Sequence, residues 1–331
     1  MHLWRNDERH ILDNKNVAPH SNLDEGADPN DPASYANFEL NDYAPTIMHN
    51  EALKFLDENR GGPFFLYYAS PIPHVPLQAP KKWVDYYREK LGEEEPYTGK
   101  SYFPNQYPRA TYAAMISYLD EQVGDLVNKL VEIGQYENTL IIFTSDNGPT
   151  YTGGADTPFF DSAKPFKTER GWAKGFVHEG GIRVPMIASW PGRISPGTKT
   201  SLLSAFQDMM PTFAELAGVD SPPDVDGISI LPTLMGKEQS ETHEYLYWEF
   251  PAYNGQQAVR MGNWKGIRKN IFKGNMTIEL YDLTRDIQEQ YDLASVRPDI
   301  VKRMEKIMKR SHTPSNLERF KFPQLGDQPL K

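Results

Sequence analysis

Thr139-Leu140-Ile141-Ile142-Phe143-Thr144 is an apolar run followed at once by two oxygen donors, Asp146 and Asn147, within Ser145-Asp146-Asn147-Gly148. The run reads as a buried strand, and in open α/β sheets ligands bind just beyond the carboxyl ends of the strands. A carboxylate beside an amide carbonyl suits a hard divalent cation such as calcium. The same residues also make an ordinary turn, since Asp, Asn and Gly tolerate positive φ. Three more loop positions carry reactive types. His74 lies in Pro73-His74-Val75-Pro76, past a second apolar run that ends near Ser70. An imidazole there can act as a general acid or an anion ligand, or be a plain surface histidine. Lys174, in Trp172-Ala173-Lys174-Gly175, is on its own a solvated lysine. In Glu179-Gly180-Gly181-Ile182-Arg183 the paired glycines imply close backbone approach. Arg183 can fork to a carboxylate or an oxyanion, although a tight turn with a structural salt bridge accounts for it more simply.

These loops need elements to hold them. Pro45 opens a helix whose apolar face is Met48, Ala52, Phe55 and Leu56, and Asn59-Arg60-Gly61-Gly62 stops it. Pro63 to Ser70 is a short apolar run consistent with a strand covered on both faces. Met115, Leu119, Val123, Leu126, Leu130 and Ile133 recur at helical spacing over about 109 to 133, with Gly134 as a stop. Strand, helix, strand in that order predicts a parallel pair with a crossover helix. Residues 148 to 181 show little regular pattern. A strand over 184 to 190 and a helix over 209 to 217 follow. Beyond about 240 come four short strand-like runs, over 245–250, 258–261, 264–268 and 278–283, with Gly262-Asn263 as a tight turn. A helix starting at Pro298 carries Ile300, Val301, Met304 and Ile307. The fold class expected is α/β: a mixed, largely parallel sheet flanked by helices, plus a small C-terminal antiparallel sheet with one covering helix. The segments expected are 1–42, irregular; 43–238, α/β; and 239–331, the small antiparallel domain.

Composition narrows the function. At 331 residues with 39% hydrophobic side chains, the chain has enough apolar material for a core. It carries 35 basic and 45 acidic residues, net −10, with no basic stripe, which disfavours a nucleic-acid surface. There is no cysteine, so no disulfide, thiolate zinc site or cysteine nucleophile. No stretch approaches the ~20 apolar residues of a membrane span. Met1 to Arg9 has no apolar core of a signal peptide and does not read as a natural domain start.

Taken together, these segments resemble the sulfatase family of the alkaline phosphatase superfamily. The resemblance runs in order through Phe64-Phe65-Leu66-Tyr67, Pro73-His74-Val75-Pro76, Asn138 to Gly148, Lys174-Gly175, Glu179 to Pro185 and Trp190-Pro191-Gly192. It continues through Pro211-Thr212, Leu216-Ala217-Gly218, Ala258-Val259-Arg260, Trp264-Lys265 and Leu280 to Leu283, covering roughly 43 to 311. It implies that Asp146 and Asn147 are calcium ligands. It implies that Lys174 touches both the sulfate and the nucleophile, and that His74 contacts the sulfate and helps the leaving oxygen depart. Arg183 and Glu179 would scaffold that loop, with Arg183 within reach of the substrate. Cation, lysine and histidine would offset charge developing on the equatorial oxygens and the leaving alkoxide.

The family nucleophile is a formylglycine made from Cys or Ser in a Cys/Ser-x-Pro-x-Arg motif, in the N-terminal half of its members. No residue here is expected to take that role, Ser70-Pro71 and Ser221-Pro222 being in the wrong register. The early Asp-Asp metal pair is absent too. The chain thus resembles the C-terminal part of a sulfatase, with an incomplete calcium site and no turnover expected alone. The substrate expected is a sulfate ester, a sulfated carbohydrate by virtue of Tyr151, Asp156, Phe159, Phe160 and Trp172, which loop packing explains equally well. The missing N-terminal half is the partner to expect. The intact family member is expected in the periplasm or secreted. Two alternatives stand beside this: a non-catalytic protein binding a sulfated glycan or a partner, and a phosphodiesterase or phosphonate hydrolase of the same superfamily.

Overall fold

A computed structural model describes residues 3–329. The chain divides into two compact units, 1–139 with 150–160, and 140–149 with 161–331.

The first unit opens with a hairpin of β1 (Leu3–Arg5) and β2 (Glu8–His10) and a short 3-10 turn at Pro32–Phe38. Four helices follow: α1 (Ala44–Glu58), α2 (Lys81–Leu91), α3 (Pro108–Glu132) and the single turn α4 (Thr157–Phe160). Helices α1 and α3 lie where apolar spacing predicts them, each with proline in its first turn, where no intrahelical N–H is needed. Helix α2 falls where the sequence pattern predicts no element. None of its residues is fully buried, so it has no deep apolar stripe to read. Polar ties hold it instead: Trp83 Nε1 and Lys82 Nζ donate to Glu121 at 2.5 and 2.6 Å, and Tyr87 bonds Ser117 at 2.7 Å.

The segment from Phe64 to Ser70 is extended but belongs to no ladder among the described residues. Its burial alternates, with Phe64, Leu66 and Tyr68 half-buried while Phe65 and Tyr67 are 68% and 81% exposed. One face is covered rather than two, correcting the expectation. Phe64 meets Phe55 of α1 edge-on, and the Tyr68 hydroxyl donates to Gln122 of α3 at 3.2 Å.

In the second unit, β3 (Ile141–Thr144) and β4 (Met186–Ser189) form a two-stranded antiparallel ladder, Ile141 opposite Ser189 and Thr144 opposite Met186. The parallel pair expected from strand, helix, strand is therefore not formed. That rule applies only when both strands enter one sheet, and Phe64–Ser70 enters none. Between β3 and β4 lies the single turn α5 (Glu179–Ile182), and after them α6 (Met209–Ala217) and the short α7 (Leu231–Leu234). Gly218 closes α6 with a left-handed φ of 70°.

The rest is the small sheet read from sequence. Strands β5 (Leu246–Phe250), β6 (Gln256–Met261), β7 (Trp264–Lys269) and β8 (Glu279–Asp282) pair antiparallel in sequence order. Helix α8 (Pro298–Ser311) lays Ile300, Met304, Ile307 and Met308 on Val259, Met261, Ile278 and Leu280. No helix among the described residues is long and apolar enough to cross a membrane.

Met304 is fully buried at the centre of that contact. Met304→Ala is expected to lower unfolding free energy by about 2–5 kcal/mol in urea titrations. The exposed Lys302→Ala on the same helix should change it by less than about 0.5 kcal/mol.

Candidate active site

The loop after β3 meets the segment carrying Lys174 through its backbone. Gly148 N–H donates to the Gly181 carbonyl at 2.9 Å, and Lys174 N–H donates to the Pro149 carbonyl at 3.2 Å. The approach is so close that a Cβ on Gly148 would run into the Gly180 carbonyl. A Cβ on Gly180 would strike the Lys167 carbonyl, and one on Gly181 the Phe176 carbonyl. Glycine is the residue type that permits this. Asp146-Asn147 and Lys174, 28 positions apart, are thereby fixed to a common main-chain frame. Asp146 is exposed, whereas Asn147 and Lys174 are half-buried.

Below that frame lies a buried ion cluster. Glu179 is 2% exposed and opens α5. Lys265 Nζ donates to its Oε1 at 2.7 Å, while Arg260 and Arg183 reach its Oε2 at 2.9 and 3.2 Å. Burial by itself would raise this carboxyl, but Lys265 above all, with Arg260 and Arg183, holds it down at about 2. Glu289 accepts from the Glu179 backbone N–H at 2.7 Å, and Lys265 Nζ lies 3.6 Å from its other oxygen. Burial pushes the Glu289 carboxyl up despite Lys265. Arg183 thus makes the structural salt bridge that the sequence offered as its simpler account, with its side chain still half exposed.

His178 is an addition that the sequence gave no cue to. It is 1% exposed and packs against Trp172 with ring centroids 4.3 Å apart and planes tilted by 49°, and neither ring nitrogen has a hydrogen-bond partner among the described residues. Lys167 Nζ sits 4.0 Å from the centre of the Trp172 ring. Burial, with Lys269, Lys265 and Lys167 nearby, drives the imidazole pKa down to about 2, so His178 is neutral.

His74 belongs to the first unit. It follows the extended segment, exposed, with the peptide bonds Ile72–Pro73 and Val75–Pro76 both cis. Its Nδ1 contacts the Val75 carbonyl at 2.6 Å, and its ring meets Tyr102 edge-on at 6.0 Å.

Of the residues read as sugar-facing, three make contacts within their own unit. Asp156 pairs with Arg109 at 2.7 Å, Phe160 stacks edge-on against buried Tyr112 at 4.8 Å, and Trp172 lies between Lys167 and His178. Arg109 also covers the Phe159 ring at 4.5 Å.

One serine does fit the Cys/Ser-x-Pro-x-Arg pattern, contrary to expectation: Ser189-Trp190-Pro191-Gly192-Arg193. Ser189 ends β4 opposite Ile141, at the far end of the ladder from Asp146. Three strand steps, about 10 Å, separate it from the level of Thr144. The letters match, but the ladder puts this serine at the wrong end of β3.

Calcium fits the donor chemistry of Asp146 and Asn147 but not their number. The ion takes six to eight oxygens, and among the described residues no group of three or more His, Asp or Glu could hold a metal. Asn147 Nδ2 donates to the Gly148 carbonyl at 3.0 Å. These residues do not make a resident cation site on their own.

The perturbed groups set pH dependences of both signs: His178 and Glu179 lose stability as pH falls, whereas Glu289, pushed up by burial, and His312, raised against burial by its hydrogen bonds to Asp327 and Glu249, gain it. Unfolded His178 gains a proton below about 6.5 and folded His178 does not, so stability falls as pH drops from there. Glu179 adds a loss below about 4.5, continuing toward pH 2. Between pH 7 and 5 His178 should subtract up to roughly 1.4 kcal/mol per pH unit from the stability of the chain, read as the difference in urea-midpoint slope between the wild type and His178→Phe. An unchanged slope in that variant would refute the assignment.

The sulfatase family model matches residues 6–219, and the model described as N-sulphoglucosamine sulphohydrolase, C-terminal, matches 168–313. An N-acetylglucosamine-6-O-sulfatase of Bacteroides thetaiotaomicron is 32% identical over 232 residues, 68% of this chain and 38% of that protein. Human arylsulfatase A is 29% identical over 279 residues, covering 74% and 48% respectively. The crystal structure of Ps i-CgsB in complex with k-i-k-neocarrahexaose superimposes with a TM-score of 0.67 at 30% identity, over 82% of this chain and 57% of that one. The chain spans about half the length of the curated relatives it matches. With the glycine-locked loops and the small C-terminal sheet in place, the match over 6–219 establishes that this chain belongs to the sulfatase family.

Proposed function

We propose that this chain is the sulfate-holding portion of a carbohydrate sulfatase, a hydrolase of sulfuric esters. The observation that carries the reading is the backbone lock between the Asp146-Asn147 loop and Lys174, made by the Gly148–Gly181 and Pro149–Lys174 hydrogen bonds. It ties the main chain of the donor pair to that of Lys174, which supports a reading in which a cation and an ammonium act together on a sulfate ester. As the S–O bond breaks, charge grows on the equatorial oxygens. A positive group fixed beforehand stabilises that charge without reorganising. Lys174 is that group here. Asp146 and Asn147 are this chain's share of the family's divalent cation shell. His74 takes the leaving-oxygen role on the resemblance alone, and Arg183 stays with Glu179 to brace α5.

Carbohydrate is favoured as the substrate class by relatives whose names specify N-acetylglucosamine and N-acetylgalactosamine 6-sulfates. The chain carries no nucleophile in the right place, since its one Ser-x-Pro-x-Arg match lies at the opposite end of the β3–β4 ladder. Its partner is the remainder of the fold, in which the family's formylglycine belongs.

The purified chain is expected to give no turnover of an aryl sulfate, with or without added calcium. It should nevertheless bind inorganic sulfate in isothermal titration, weakened about tenfold or more by Lys174→Ala, the scale of a lost charge-assisted contact. Clear turnover, or sulfate binding indifferent to Lys174, would overturn the proposal.

A further inference from the structure

Immediately after Lys174 an aromatic ring closes over the backbone. Tyr253 lies in the turn between β5 and β6, and its Cε2 sits 2.6 Å from where a Cβ would be on Gly175. Its ring stacks on Phe176, centroids 4.6 Å apart and planes 22° from parallel. Packing alone would bury such a pair, yet Tyr253 remains 44% exposed.

The turn is held in a costly conformation. Tyr253 and Asn254 have φ of 51° and 67°, left-handed angles that disfavour non-glycine residues by about 1 kcal/mol or more. Hydrogen bonds fix it there. Phe272 N–H donates to the Asn254 carbonyl at 2.9 Å and Ile271 N–H to that of Gly255 at 3.2 Å. Gln256, 1% exposed, ties the turn to the lysine loop, donating to the Gly175 carbonyl at 2.9 Å and accepting from Val177 N–H at 3.4 Å. The ring is therefore a preorganised surface feature fixed to the segment that carries Lys174.

We propose that Tyr253, backed by Phe176, is the sugar-ring platform of this site and selects sulfated pyranoses. The ring of a pyranose offers a C–H face that packs on an aromatic surface, while its hydroxyls stay at the edge. An anion held by Lys174 would bring the sugar that bears it toward the neighbouring ring. Inorganic sulfate would gain nothing from that surface. This inference rests on the reading of Lys174 as the sulfate-holding cation.

The test is isothermal titration of the full chain with N-acetylglucosamine 6-sulfate, inorganic sulfate and unsulfated N-acetylglucosamine. The wild type should bind the sulfated sugar about tenfold more tightly than inorganic sulfate. Tyr253→Ala should abolish that preference and leave inorganic sulfate within about twofold, with an unchanged thermal transition, and Tyr253→Phe should restore it. A preference that survives Tyr253→Ala, or a wild type that shows none, overturns the platform. Lys174→Ala should weaken both sulfated ligands alike. If it weakens neither while Tyr253→Ala still erases the preference, the lysine reading falls and the platform stands.

Discussion

One carboxylate out of water organises the second unit. Glu179 is nearly inaccessible and shared by Lys265, Arg260 and Arg183. Burying a lone charge costs several kcal/mol, and close pairing with further hydrogen bonds is what makes it tolerable. Lys265 and Arg260 stand on adjacent strands of the small sheet, so the charge that opens α5 is compensated from that sheet. The single helical turn of four residues is far too short to be stable alone. Its position is dictated by electrostatics, with the paired glycines supplying the clearance.

Sheet and loop are consequently one construction. The C-terminal strands supply the cations that seat α5, and the turn between β5 and β6 supplies Gln256 and Tyr253 to the Lys174 segment. On the other side, β4 follows α5 directly and pairs with β3, whose end carries Asp146. The small sheet therefore does more than cover a face. It sets where the Lys174 segment is held, and it lays a ring against Gly175 and Phe176.

Much of this was legible in the sequence. Apolar spacing located α1, α3, α6 and α8, and turn residues delimited the four strands of the small sheet to within a residue or two. These elements bury a regular stripe or alternate cleanly, which is what such reading detects. Helix α2 escaped because polar ties to α3 hold it, leaving no buried stripe. The parallel pairing was misjudged because order along the chain says nothing about whether two strands share a sheet. Lys265 was recognised only as part of a resemblance. No local pattern tells a solvated lysine from one with no exposed surface, because burial follows from a carboxylate 86 positions away. His178 and Tyr253 went unremarked for the same reason, as their meaning lies in what tertiary structure sets beside them.

The glycines at 148, 180 and 181 divide the labour between main chain and side chains. Because the two loops touch carbonyl to amide, their closest approach is set by main-chain hydrogen bonds, while the Glu179 cluster and Gln256 seat them against the small sheet. At these three positions a side chain would push the loops apart, so they are where the sequence of this segment has least freedom to change.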